Sequence, residues 1–220
     1  MSNRCCSTLI LFLALAGNAE TLSAQTSAVQ LQVYDYANLN PGSLHKVLAL
    51  TQQILGEAGL SVEVELCRGA QAVPCASQIV GARYLVMRLV AGGSKTKDTV
   101  LHPQLGQSMA DREGGTYSSL FLERIQDAAE EANVPWDIVL AYAAAHEVGH
   151  LLLGSEAHTA RGVMKAHWGR EDFQAMNQHQ LHFIDQQAHE LANRYGRSLS
   201  NALAVKIAAA DAAKTAGTGQ

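Results

Sequence analysis

Basic residues never gather into a run in this chain, where 16 Lys and Arg stand against 20 Asp and Glu for a formal net charge of -4. A polyanion partner needs a concentrated positive patch, so nucleic acid is not expected as a partner. Long apolar runs are missing as well. Past the first two dozen residues no uninterrupted apolar segment is long enough to cross a bilayer, so no stable membrane association is expected of the mature chain. Cysteine is scarce, with four in all. No internal repeat occurs. The 48% hydrophobic and 16% charged composition of the 220 residues excludes a disordered or coiled-coil chain and suits one globular domain with a real core.

The N terminus has the look of an address. Met1-Ser-Asn-Arg4 is followed by an apolar stretch from Cys5 to Ala16 and then by small residues ending near Ala19 or Ala24. A short positive start, a brief apolar segment and a small-residue exit predict a secretory signal peptide over residues 1–24, and a retained anchor would need a longer span. The protein is therefore expected to be secreted or periplasmic. Cys5 and Cys6 leave with that segment, and the remaining Cys67 and Cys75 flank a loop containing Gly69 and Pro74. In an oxidising compartment that pair reads as a local disulfide. Few residues separate the expected cleavage from the first strand, which leaves no room for a folded inhibitory propeptide.

Local pattern divides the rest. Residues 29–36 alternate apolar and polar as a half-buried strand does. Leu44, Val47, Leu48, Thr51, Ile54 and Leu55 recur at helical spacing, opened by Pro41 and closed by Gly56 and Gly59. Residues 61–67 and 83–90 read as further strands, and 100–109 and 116–121 as weaker ones separated by a polar turn. Helices are expected over 122–133, from Pro135 to a stop at Gly154, over 171–178 and over 186–194. This order predicts an α+β domain over residues 25–197. An alanine-rich tail, residues 198–220, offers little apolar bulk to dock.

The helix ending at Gly154 carries Ala-Ala-His146-Glu147-Val148-Gly149-His150. Histidines four apart on a helix project from one face, one turn apart, so both imidazoles can hold a single tetrahedral zinc ion. The glutamate between them can then serve as general base. On a face otherwise made of Val139, Leu140, Ala143 and Ala144, unpartnered imidazoles would be costly, which argues against mere packing. Catalytic zinc sites take three protein ligands and leave a position open. The third donor comes from among His158, His167, Glu156, Glu171, His179, His182 and Glu190. His158 is favoured because Gly154 can adopt the positive φ that turns the chain back toward the metal. His182 and His189, seven apart, could share a helical face; His102 has no evident partner.

His146-Glu-x-x-His150, then Gly154, His158 and a methionine at Met164, resembles the metzincin metallopeptidases, whose signature is H-E-x-x-H-x-x-G-x-x-H followed by a methionine turn beneath the metal. Here three residues fill each of the two gaps flanking Gly154, where that family has two. The resemblance implies a zincin fold, in which a small mixed twisted sheet and an active-site helix precede a mostly helical C-terminal part. It implies zinc as the one cofactor, Glu147 as the catalytic residue, and His146, His150 and His158 as ligands. It also implies a substrate-aligning edge strand around Gly106, Gln107 and Ser108. A thermolysin-like site would take a later glutamate instead, and Glu171 is placed for that, so His158 and Glu171 are both open. The activity implied is hydrolysis of peptide bonds. A non-catalytic metal- or protein-binding module on a peptidase-like fold is the alternative, expected to bind zinc without turnover or to close the site with a fourth ligand such as His167.

Overall fold

The computed structural model describes residues 29–67, 82–92 and 104–196. The expected signal peptide, His102, Cys75 and the alanine-rich tail lie outside those residues. Strands β1 (Val29–Asp35), β2 (Val62–Cys67), β3 (Arg83–Val90), β4 (Gly106–Asp111) and β5 (Gly114–Phe121) form one sheet in the order β2-β1-β3-β5-β4. Pairing is parallel except between β4 and β5, so the sheet is mixed and β4 is an edge. Helix α1 (Pro41–Glu57) joins β1 to β2, supplying the crossover that two adjacent parallel strands require. The described helices continue with α2 (Leu122–Ala132), α3 (Trp136–Leu153), α4 (Arg170–Asn177) and α5 (Asp185–Tyr195). This is the expected α+β class, with a five-stranded mixed sheet and a helical C-terminal half.

Alternation decides what the sheet buries. Val29, Leu31 and Val33 of β1 and Leu85, Met87 and Leu89 of β3 point to one face and are almost wholly buried, in one core cluster with the apolar residues of α1 and α3. Helix α1 starts where Asn40 accepts a hydrogen bond from the Gly42 amide at 2.9 Å and Pro41 occupies the first turn. Helix α3 has no polar face: residues from Val139 through Leu152 are buried nearly all round, as in a helix at the centre of a domain. It touches β3, β4, β5 and each of the other helices. No helix among the described residues is long and apolar enough to cross a membrane.

Two expectations are corrected here. The polar turn read between the weak strands is shorter than its composition suggests: β4 runs to Asp111 and β5 starts at Gly114, leaving only Arg112 and Glu113 between them. A bulge between Met109 and Ala110 absorbs the mismatch. His182 and His189 share no helical face, because α5 begins only at Asp185. His182 instead pairs with Glu57, its Nδ1 3.0 Å from Oε2.

A candidate metal centre

His146 and His150 sit one turn apart near the C-terminal end of α3, and the way that helix ends brings a third histidine to them. Gly154 adopts φ +99, and a Cβ there would run into the Arg112 carbonyl of the β4–β5 turn. Only glycine fits such a left-handed position against another backbone. The turn is pinned on both sides, the Gly154 amide donating to His150 O at 3.0 Å and the Ser155 amide to Asp111 O at 2.7 Å. The chain then doubles back and delivers His158. Its Nε2 lies 3.0 Å from His150 Nε2, which is 3.1 Å from His146 Nε2. The three side chains form the described cluster able to hold a metal ion.

The protonation pattern of this cluster can be read from its partners. His146 Nδ1 is 2.8 Å from the Val163 carbonyl and His150 Nδ1 is 3.2 Å from the Gly154 carbonyl. A carbonyl oxygen only accepts, so in each neutral ring the proton is on Nδ1 and Nε2 is left with a bare lone pair. Burial keeps the rings neutral. It lowers His146 from 6.5 to about 4, and it lowers His150 and His158 as well. Lone pairs of His146 and His150 therefore face each other at 3.1 Å with no hydrogen between them. Such an arrangement is repulsive unless a cation lies between the nitrogens. Nitrogens bound tetrahedrally at zinc distances sit about 3.3 Å apart, close to the spacing seen here. Three imidazoles, two of them with Nδ1 anchored on backbone carbonyls, are thus a donor set that fits a borderline-soft divalent ion.

Glu147 lies on α3 between the first two histidines and is 6% exposed. Its Oε2 accepts a 2.5 Å hydrogen bond from Ser108 Oγ of β4. Burial raises its carboxyl from 4.5 to about 7, with the Ser108 bond opposing that rise. That value belongs to the metal-free site, and a nearby dication would draw it down. Histidines and glutamate open into a cleft of about 950 Å³. Gly106, Gln107 and Ser108, the expected aligning segment, open the edge strand and line this cleft.

Beneath the site, the loop after His158 closes on itself through Thr159 N to Met164 O at 2.9 Å and is tied outward by Val163 N to His182 O at 3.0 Å. Met164 is fully buried, and its sulfur comes against Gly149 of α3. It is a core residue packed against the helix that carries His146 and His150.

The other sequence candidates fall away from the cluster. Glu171 is exposed in the first turn of α4, where a carboxylate is favourable on helix-dipole grounds alone. Glu156 pairs with Arg112 at 3.0 Å, Glu190 with Arg194 at 3.2 Å, and His179 and His189 are exposed. His167 lines the cleft, but it is not a fourth member of the cluster. The residue that pattern reading missed is Trp168. It lines the cleft, stands edge-on to His146 with ring centroids 5.4 Å apart, and buries an Nε1 that has no hydrogen-bond partner among the described residues. The remaining disulfide cysteine in view, Cys67, ends β2 and is disulfide-bonded. No family model matches this chain, and no curated protein matches it in sequence.

Proposed function

We propose that the protein is an exported zinc metallopeptidase of metzincin type that hydrolyses peptide bonds with Glu147 as general base. The observation that carries this reading is the juxtaposition, in one cleft, of three converging imidazole nitrogens with a buried carboxylate on the helix between two of them. A purely structural metal site has no use for a base, and a fourth protein ligand closing the site is not found among the described residues. Export is supported by the leader-like N terminus and by a disulfide-bonded Cys67.

His146, His150 and His158 would hold the ion. Zinc so held supplies Lewis-acid activation of water and of the peptide carbonyl. Glu147 takes the proton from the attacking water and later returns it to the leaving amine, and its buried carboxylate, held by Ser108, is placed for both transfers. Among the described residues β4 is an edge strand, and an extended peptide adding to it through main-chain hydrogen bonds would lie across the cleft beside Glu147.

The test is hydrolysis of dye-quenched casein and of a mixed internally quenched peptide library by the mature, zinc-loaded chain. Glu147→Gln is expected to keep its metal and lose at least about 100-fold in turnover. A wild-type protein that cleaves neither probe, or a fully active Glu147→Gln, would overturn the assignment.

A further inference from the structure

Glu147 is held by one strand. Gly106 and Ser108 of β4 are two apart and so point to the same side of the sheet, toward α3. A Cβ at Gly106 would lie 2.6 Å from Glu147 Oε1, so the bare backbone of position 106 backs directly onto that oxygen. Ser108 Oγ meets the other oxygen, Oε2, at 2.5 Å and the Glu147 carbonyl at 3.1 Å. A hydroxyl has one proton to give, and the shorter contact falls in the range of charge-assisted O–H to carboxylate bonds. Among the described residues Ser108 is the only hydrogen-bond donor to the buried carboxylate. Its cross-strand neighbour Ser118 turns its hydroxyl to the Val86 carbonyl at 3.4 Å instead.

We propose, on the peptidase reading above, that Ser108 is a positioning residue: its hydroxyl fixes the orientation of the Glu147 carboxylate from the same edge strand along which substrate would lie. A carboxylate with both oxygens confined is pre-set for proton transfer, whereas one without its donor samples several χ rotamers and only a fraction of them are productive. Because β4 is an edge strand of the sheet among the described residues and has Glu147 against its α3-facing side, a peptide that registers on the strand is registered relative to the base as well.

The experiment compares Ser108→Ala, Ser108→Thr, Gly106→Ala and Glu147→Gln in the mature, zinc-loaded chain. It reads kcat and KM on one internally quenched peptide that wild type cleaves, together with bound zinc. Ser108→Ala should lower kcat by about 10- to 100-fold, the usual effect of losing a partner that orients a site residue, with KM and zinc content unchanged. Ser108→Thr, which keeps the hydroxyl, should restore most of that loss, and Gly106→Ala should lower kcat because its methyl displaces Oε1. An inactive Glu147→Gln beside a Ser108→Ala of wild-type kcat would overturn the positioning role and leave the peptidase reading standing. A Ser108→Ala change confined to KM would overturn it too, and an active Glu147→Gln would overturn both. Independently of turnover, thermal midpoints of Ser108→Ala, Glu147→Ala and the double variant should be non-additive; additive shifts would refute the contact.

Discussion

Gly149→Ala adds a single methyl group, and the structure says where it goes. A Cβ at position 149 would overlap Met164 Sδ and stand 3.1 Å from Met164 Cε and 3.2 Å from Phe183 Cε1, all inside ordinary contact distance. Met164 is 0% exposed, so its sulfur has no solvent side to retreat to. Two effects oppose each other. Replacing a glycine inside a helix favours the folded state by about 1 kcal/mol. Overpacking a filled core costs up to about 3 kcal/mol, and a clash with a wholly buried side chain belongs at that upper end. The clash wins by about 2 kcal/mol, which for a domain of this size lowers the thermal midpoint by about 4–8 °C. Displacing Met164 also shifts the neighbouring Val163 carbonyl that anchors His146 Nδ1, so metal affinity should fall by about 10- to 100-fold. Scanning calorimetry and competition with a chromogenic chelator measure the two. In a Met164→Ala background the methyl has room, and Gly149→Ala should then be neutral or stabilising. Equal losses in both backgrounds, or a Gly149→Ala protein as stable and as avid for zinc as wild type, would refute the steric account.

In metal-free protein the two strongest titration shifts pull against each other. Glu147, raised to about 7, contributes stability that is present below pH 4.5 and is lost as pH rises through 7, while His146, lowered to about 4, contributes stability that is present above pH 6.5 and is lost as pH falls through 4. Glu147→Gln removes only the first, so chelator-treated Glu147→Gln should exceed wild type in urea stability by up to about 3 kcal/mol at pH 8 and by little at pH 4.5; an equal difference at both values contradicts the shift. Trp168→Phe keeps an aromatic ring beside His146 and discards a buried N–H without a partner among the described residues, so it should be neutral or stabilising, and a midpoint drop above about 5 °C would contradict this.

Much of this fold is written locally. Helix α3 could be bounded to the residue because Pro135 starts it and Gly154 stops it, and β1 and β2 announce themselves by alternation. His146, Glu147 and His150 are legible for the same reason, since one helix turn relates them. His158 was only favoured over Glu171 from sequence, because what selects it is a contact between distant segments: Gly154 against the Arg112 carbonyl and Ser155 N on Asp111 O. The spacing of three residues on each side of Gly154, one more than the family pattern, is accommodated by that turn. Ser108 was read as part of an edge strand, but its bond to Glu147 spans 39 residues and no periodicity announces it. Trp168 gave no signal at all, as its meaning lies in which ring it meets after the chain has folded.

The account turns on three histidines holding one ion, and zinc content of the purified mature protein by elemental analysis tests this most directly, with wild type, His158→Ala and Glu171→Ala side by side. One equivalent in wild type and in Glu171→Ala, with most of it lost from His158→Ala, is the predicted result. A wild type without bound zinc, or zinc lost on changing Glu171 and kept on changing His158, would contradict it.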